Sequence, residues 1–212
     1  DYFSKTGHQR AVIGLSGGID SALVACLAVD ALGSENVYLV SMPSRFSSEH
    51  SKTDAKQLAQ NLNAHFDTVD IDSLFEKYLD VLNPKFKGLE SNVAEENIQS
   101  RIRGNILMAF SNKFGCLVLS TGNKTELALG YCTLYGDMSG GLSVIGDLSK
   151  TEVYNLAKWK NKVSNNIIPD SSITKTPSAE LAENQVDPFD YDVISPIVDK
   201  VIYNESIDNN NS

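Results

Sequence analysis

The sequence predicts an α/β fold, doubly wound on a mainly parallel sheet with helices on both faces. Three observations predict it. Short apolar runs alternate with helical stretches along the chain, as strands and crossover helices do. The first run, Ala11, Val12 and Ile13, leads straight into a glycine-rich turn and a helix-forming stretch. A second run, Cys116 to Ser120, does the same, so two strand ends deliver polar residues to one edge of the sheet, where ligands of such folds bind.

Taken in order, residues 1–8 read as a helical tail and 11–13 as a buried strand. Residues 22–32 carry one charge, Asp30, among good helix formers. Residues 36–43 read as a second buried strand, stopped by Pro43. Ser51, with Asp54 three residues on, looks like a helix N-cap; Ala55, Leu58, Ala59 and Leu62 then mark one helical face. Residues 66–71 alternate as a third strand, 73–82 form a short helix, and 83–92 form a loop with Pro84 and Gly88.

Residues 93–114 are the longest helix. Ile98, Ile102, Ile106 and Phe110, with Leu107 and Phe114, form its apolar stripe. Asn97, Arg101 and Asn105 make a polar stripe at spacing four, which reads as a ligand-facing row, with Arg103 pointing elsewhere. Residues 116–120 are a strand, 121–126 a turn with a short helix, and 131–147 a glycine-rich loop suited to close backbone approach. Ser149 to Glu152 is a capping box, and Val153, Leu156 and Ala157 continue that helix. Lys150 stands in its first turn, against the helix dipole, which makes better sense with an anion nearby. Residues 192–203 are weakly helical around Pro196, and 206–212 read as a disordered tail, so the domain is expected to span 1–205.

Composition excludes some classes. A net charge of −9 argues against a nucleic-acid partner. No run is apolar enough to span a membrane. Cys26, Cys116 and Cys132 are odd in number and lack C-x-x-C spacing, which suits a reducing cytoplasm. His8, His50 and His65 are scattered and form no metal-ligand cluster.

The stretch Gly14, Leu15, Ser16, Gly17, Gly18, Ile19, Asp20, Ser21 carries the chemistry. Its glycines admit a ligand close to the backbone, and the N–H groups of Gly18, Ile19 and Asp20, expected to be free at the start of the next helix, suit a phosphate. It lacks the Gly-Lys-Ser/Thr of a Walker A loop and the glycine spacing of a dinucleotide fingerprint. An aspartate in a phosphate turn repels its ligand unless a cation lies between them, which points to Mg²⁺.

Ser-Gly-Gly-x-Asp-Ser after a strand resembles the pyrophosphate-binding loop of the ATP-pyrophosphatase superfamily. Residues 94–105, 120–126, 134–137 and 175–181 resemble, in the same order, segments of the NAD synthetase family, above all the synthetase domain of its glutamine-dependent type. The fold implied is Rossmann-like, of the adenine nucleotide alpha hydrolase kind. The activity implied is amidation of deamido-NAD by ATP and ammonia through an acyl-adenylate, releasing AMP and pyrophosphate. The alternatives are another amide-forming synthetase on the same loop, such as a GMP synthetase, and a nucleotide-binding module without catalysis.

The resemblance also implies roles. Residues 14–21, Thr121, Lys150 and Ser178 would bind ATP; Asp20 and Glu126 would hold Mg²⁺; Asn97, Arg101 and Glu126 would face deamido-NAD. Asp20 and Lys150 would be the catalytic pair. A homodimer or larger homo-oligomer is implied, as is a glutaminase domain upstream. Two departures stand out: Leu134 replaces the lysine of ammonia-only members, and the acidic run at 186–190 is shortened.

Overall fold

The computed structural model describes residues 1–203. Five parallel strands form the sheet: β1 (Ala11–Gly14), β2 (Val37–Ser41), β3 (His65–Thr68), β4 (Leu117–Ser120) and β5 (Leu142–Ser143), in the order β3-β2-β1-β4-β5. The helices are α1 (Tyr2–Thr6), α2 (Ile19–Leu32), α3 (Glu49–Leu62), α4 (Asp72–Leu82), α5 (Val93–Phe114), α6 (Lys124–Leu129), α7 (Lys150–Val163), α8 (Asp170–Thr174) and α9 (Tyr191–Ile202).

The period-two geometry of a strand splits the core into two layers. Ala11 and Ile13 of β1, Val37 and Leu39 of β2, and Leu119 of β4 face one side, under α2, α3 and α7. Val12, Val40 and Val118 face the other, under α4 and α5. Both faces are covered, as the continuous apolar runs require. Strand order reverses between β1 and β4, and the crevice beyond their carboxyl ends is where the glycine-rich turn opens α2.

Several local expectations need correction. β3 ends at Thr68; the next residues still bond back to β2's end, Val69 N–H to Ser41 O and Ile71 N–H to Pro43 O, without continuing the strand. The N-cap of α3 is Ser48, whose hydroxyl accepts the Ser51 N–H at 3.2 Å, so Ser51 lies inside the helix. Phe114, assigned to the apolar stripe of α5, is 44% exposed at the helix end. β5 was hidden in the glycine-rich stretch. A Cβ at Gly140 would lie 2.9 Å from the Ser120 N, so a bare backbone is what lets that segment lie against β4. The expected tail at 206–212 lies outside the described residues.

Candidate functional site

The turn after β1 is stiffened by its own side chains. Gly17 has φ +83°, and a Cβ there would sit 2.2 Å from the Ser51 carbonyl oxygen, so only glycine lets this turn rest on the start of α3. The Ser16 hydroxyl accepts the Gly18 N–H (3.2 Å), and the Ser21 hydroxyl accepts the Ser16 N–H (3.2 Å) and donates to Gly18 O (3.1 Å). One N–H expected to be free for a ligand, that of Gly18, is therefore closed onto Ser16. Ile19 and Asp20, which open α2, line a cavity of roughly 280 Å³.

Around this cavity the structure gathers Gly14, Leu15, Ser16, Gly18, Ile19, Asp20 and Ser21 with Thr121, Glu126, Lys150 and Ser178. Ser178 is engaged within its own loop, donating to Gln185 O at 2.6 Å and accepting the Glu180 N–H at 3.1 Å.

Its electrostatic centre is Lys150. The capping box of α7 is formed as expected, Glu152 Oε2 accepting the Ser149 N–H at 2.7 Å. That box fixes Lys150 at the first helical position, where its N–H donates to Thr125 Oγ1 (3.1 Å) and its side chain is only 4% exposed. Lys150 Nζ donates to Asp20 Oδ2 at 2.6 Å and to Glu126 Oε1 at 3.0 Å. The Tyr191 ring lies 5.1 Å away. A pair of carboxylates of the chain itself thus offsets the unfavourable dipole. Burial is the largest influence on the ammonium and lowers its pKa, but Asp20 and Glu126 together outweigh it, and the net shift is upward. Burial first, and Asp20 second, push the Glu126 carboxyl up to about 7, against the opposing pull of Lys150.

Asn123 positions both acids. It is fully buried, its Nδ2 donates to Asp20 Oδ1 at 2.9 Å, and its Oδ1 caps α6 by accepting the Glu126 N–H at 3.0 Å. Sequence reasoning assigned it no role, although an asparagine three residues before a glutamate at a strand end is a readable N-cap signal. Asp187 was missed too. It lines the cavity and accepts from the hydroxyls of Tyr131 (3.1 Å) and Tyr191 (2.8 Å).

The polar stripe of α5 does not face this cavity. Asn97 Oδ1 accepts from the Thr133 hydroxyl (2.7 Å), Arg101 is exposed with its Nε donating to Leu134 O (3.3 Å), and Asn105 is exposed. The cavity is lined instead by Ser100, Arg103, Gly104 and Leu107. Arg103 does point away from that stripe, and its side is the one that lines the cavity. Spacing marks which residues share a stripe, but the packing of the 133–139 segment against Gly104 decides which stripe faces in.

A glycine-rich turn that opens a helix, next to a carboxylate pair bridged by a lysine at a parallel-sheet switch point, suits nucleotide binding. The family model described as NAD synthase matches residues 1–211. The chain belongs to the NAD synthase family. A glutamine-dependent NAD(+) synthetase of Synechocystis is 53% identical over 205 residues, covering 95% of this chain and 37% of that protein. This NAD synthase family chain therefore spans a little over a third of the length of such relatives. The structure of a glutamine-dependent NAD+ synthetase from Acinetobacter baumannii in complex with ADP is 41% identical (TM-score 0.81), covering 95% of this chain and 41% of that one. An NMN synthetase from Francisella tularensis is 28% identical (TM-score 0.82), covering 97% of this chain and 82% of that one. Among the described residues no helix is long and apolar enough to cross a membrane.

Proposed function

We propose that this chain carries the ATP-dependent amidation of deamido-NAD to NAD through an acyl-adenylate, with ammonia as the nitrogen donor and AMP and pyrophosphate as products. The observation that carries this reading is the Lys150, Asp20 and Glu126 cluster beside the phosphate loop. Residues 14–21, Thr121, Lys150 and Ser178 are assigned to ATP. The Acinetobacter relative was solved in complex with ADP, which supports an adenine nucleotide as ligand.

The donor set fits Mg²⁺. Two carboxylates converge on one ammonium, and all-oxygen donors suit a hard cation. Asp20 and Glu126 would hold the ion, which when bound neutralises charge on the leaving pyrophosphate. The chain's own contribution is positional. The Ser16 and Ser21 network holds the loop rigid, Asn123 fixes the two acids, and Lys150 supplies a positive charge that cannot swing away.

Asn97, Arg101 and Glu126 are assigned to deamido-NAD. Arg101 lies beside exposed Leu134 and Tyr135, a surface that supports a homodimer or larger homo-oligomer sharing the dinucleotide. A cytoplasmic location suits three free thiols.

The test is pyrophosphate release from MgATP with deamido-NAD, nicotinate mononucleotide or xanthosine monophosphate as acceptor. Turnover with deamido-NAD is expected to dominate. Preference for the mononucleotide would favour the chemistry named for the Francisella relative, and preference for xanthosine monophosphate would refute the reading. Run with ammonium chloride or glutamine, the same assay should proceed on ammonia alone. Burial pushes the thiol of Cys132 up, unlike an activated nucleophile, so glutamine-supported turnover lost on Cys132→Ser would overturn that expectation.

A further inference from the structure

Four cationic side chains line the cavity: Lys52, Arg103, Lys150 and Lys175. Three have carboxylates. Lys52 pairs with Glu49 at 2.8 Å, Lys150 with Asp20 and Glu126, and Lys175 lies 3.8 Å from Glu180 while donating to Ser51 Oγ at 2.7 Å. Arg103 has none within ion-pair reach among the described residues. Its one hydrogen bond there is from Nε to Met42 O, at 2.9 Å. The two terminal nitrogens of the guanidinium are thus uncommitted, on a side chain half-buried beside the cavity. Burial lowers its pKa to about 10, with Glu180 and Asp72 acting only as more distant opposing charges, so it stays a cation at neutral pH. A buried charge without a partner is costly, and such a group lining a cavity marks where a ligand supplies the missing charge.

Position narrows the ligand group. A Cβ at Gly14 would touch Leu107 and Met42, both at 3.2 Å, so these three form a tight apolar end to the cavity. Arg103 is one turn before Leu107 on α5 and is tied to the Met42 carbonyl, which puts it where the apolar end meets the polar one. Asp20 and Glu126, which share Lys150, call for a cation beside them, not a phosphate directly. A nucleotide lying with its base in the apolar end and its pyrophosphate at the loop brings its first phosphate to the junction.

We propose that Arg103 binds the α-phosphate of the nucleotide through its terminal nitrogens. This rests on the nucleotide reading of the cavity. The guanidinium fork matches two phosphate oxygens, and a lysine at the same place does not.

The experiment uses the full chain and competition against a fluorescent ATP analogue, with AMP, adenosine and pyrophosphate as competitors. Arg103→Met is expected to weaken AMP about 10- to 100-fold while leaving adenosine and pyrophosphate within about twofold. Arg103→Lys should recover only part of the AMP affinity. Without ligand, Arg103→Met should melt at or above the wild-type temperature, because an uncompensated charge has been removed. Equal weakening of AMP and adenosine, or unchanged AMP affinity, would overturn the assignment while leaving the cavity's reading intact. Wild-type chain that binds neither the analogue nor AMP would overturn both.

Discussion

Lys150→Met removes the cation that two buried carboxylates share. Methionine keeps the apolar stem and the volume, so the packing against Tyr191 is largely retained and the change is electrostatic. Breaking a buried pair from one side costs about 3–5 kcal/mol, since the charge left behind has no compensation. Here two carboxylates are left, each only 18% exposed and both held in place by Asn123. For a domain of this size a loss of 1 kcal/mol lowers Tm by about 2–4 °C, so the variant should melt roughly 6–20 °C below wild type at pH 8 without divalent ions. At pH 5 the deficit should shrink, because a carboxyl that already titrates near 7 takes up a proton once the lysine is gone. Magnesium should also restore part of the loss by replacing one cation with another. Thermal melts followed by circular dichroism, at both pH values and with EDTA or Mg²⁺, measure all three. A variant melting within about 2 °C of wild type at pH 8 in EDTA would refute the reasoning. Adding Asp20→Asn and Glu126→Gln to Lys150→Met should recover most of the stability, which separates charge from packing.

Glu126 should also give the wild-type protein a pH dependence. Its carboxyl titrates near 7 when folded against an ordinary 4.5, so the folded state binds the proton more tightly. Stability should therefore be highest near the lower value and fall as pH rises through that window, at no more than about 1.4 kcal/mol per pH unit. Urea melts in EDTA should show this slope, and Glu126→Gln should remove it; an unchanged slope would place the titration elsewhere. Gly17→Ala should impair the loop through both its left-handed φ and the Ser51 carbonyl, reducing ATP-induced stabilisation in the same melting assay. Wild-type ATP response in that variant would show that the loop can move off α3. Asp20→Asn preserves the side chain's shape and should abolish pyrophosphate release while the protein still folds; retained turnover with normal magnesium dependence would remove Asp20 from the metal site.

Much of this molecule was legible in the sequence because the deciding interactions are local. The apolar runs named the central strands, since burial on both faces leaves little room for polar residues. The capping box at Ser149 and Glu152 was readable because its partners are three residues apart and bond within one helical turn. The turn at 14–21 was readable from its glycines and its place between a strand and a helix.

Tertiary structure decided what distance along the chain concealed. The dipole argument at Lys150 was sound, but its partners lie 130 and 24 residues away, and nothing local says that they are carboxylates. On that local argument alone Lys150→Met is expected to be near-neutral; with the partners known it is expected to be strongly destabilising. On α5 the period of 3.6 sorts Asn97, Arg101 and Asn105 from Ser100, Arg103 and Leu107, yet it cannot say which set lines the cavity. That is set by what packs on the helix: Gly104 against the 133–139 segment, and Arg103 against the end of β2. Periodicity is a property of one helix, and orientation belongs to the contacts between elements.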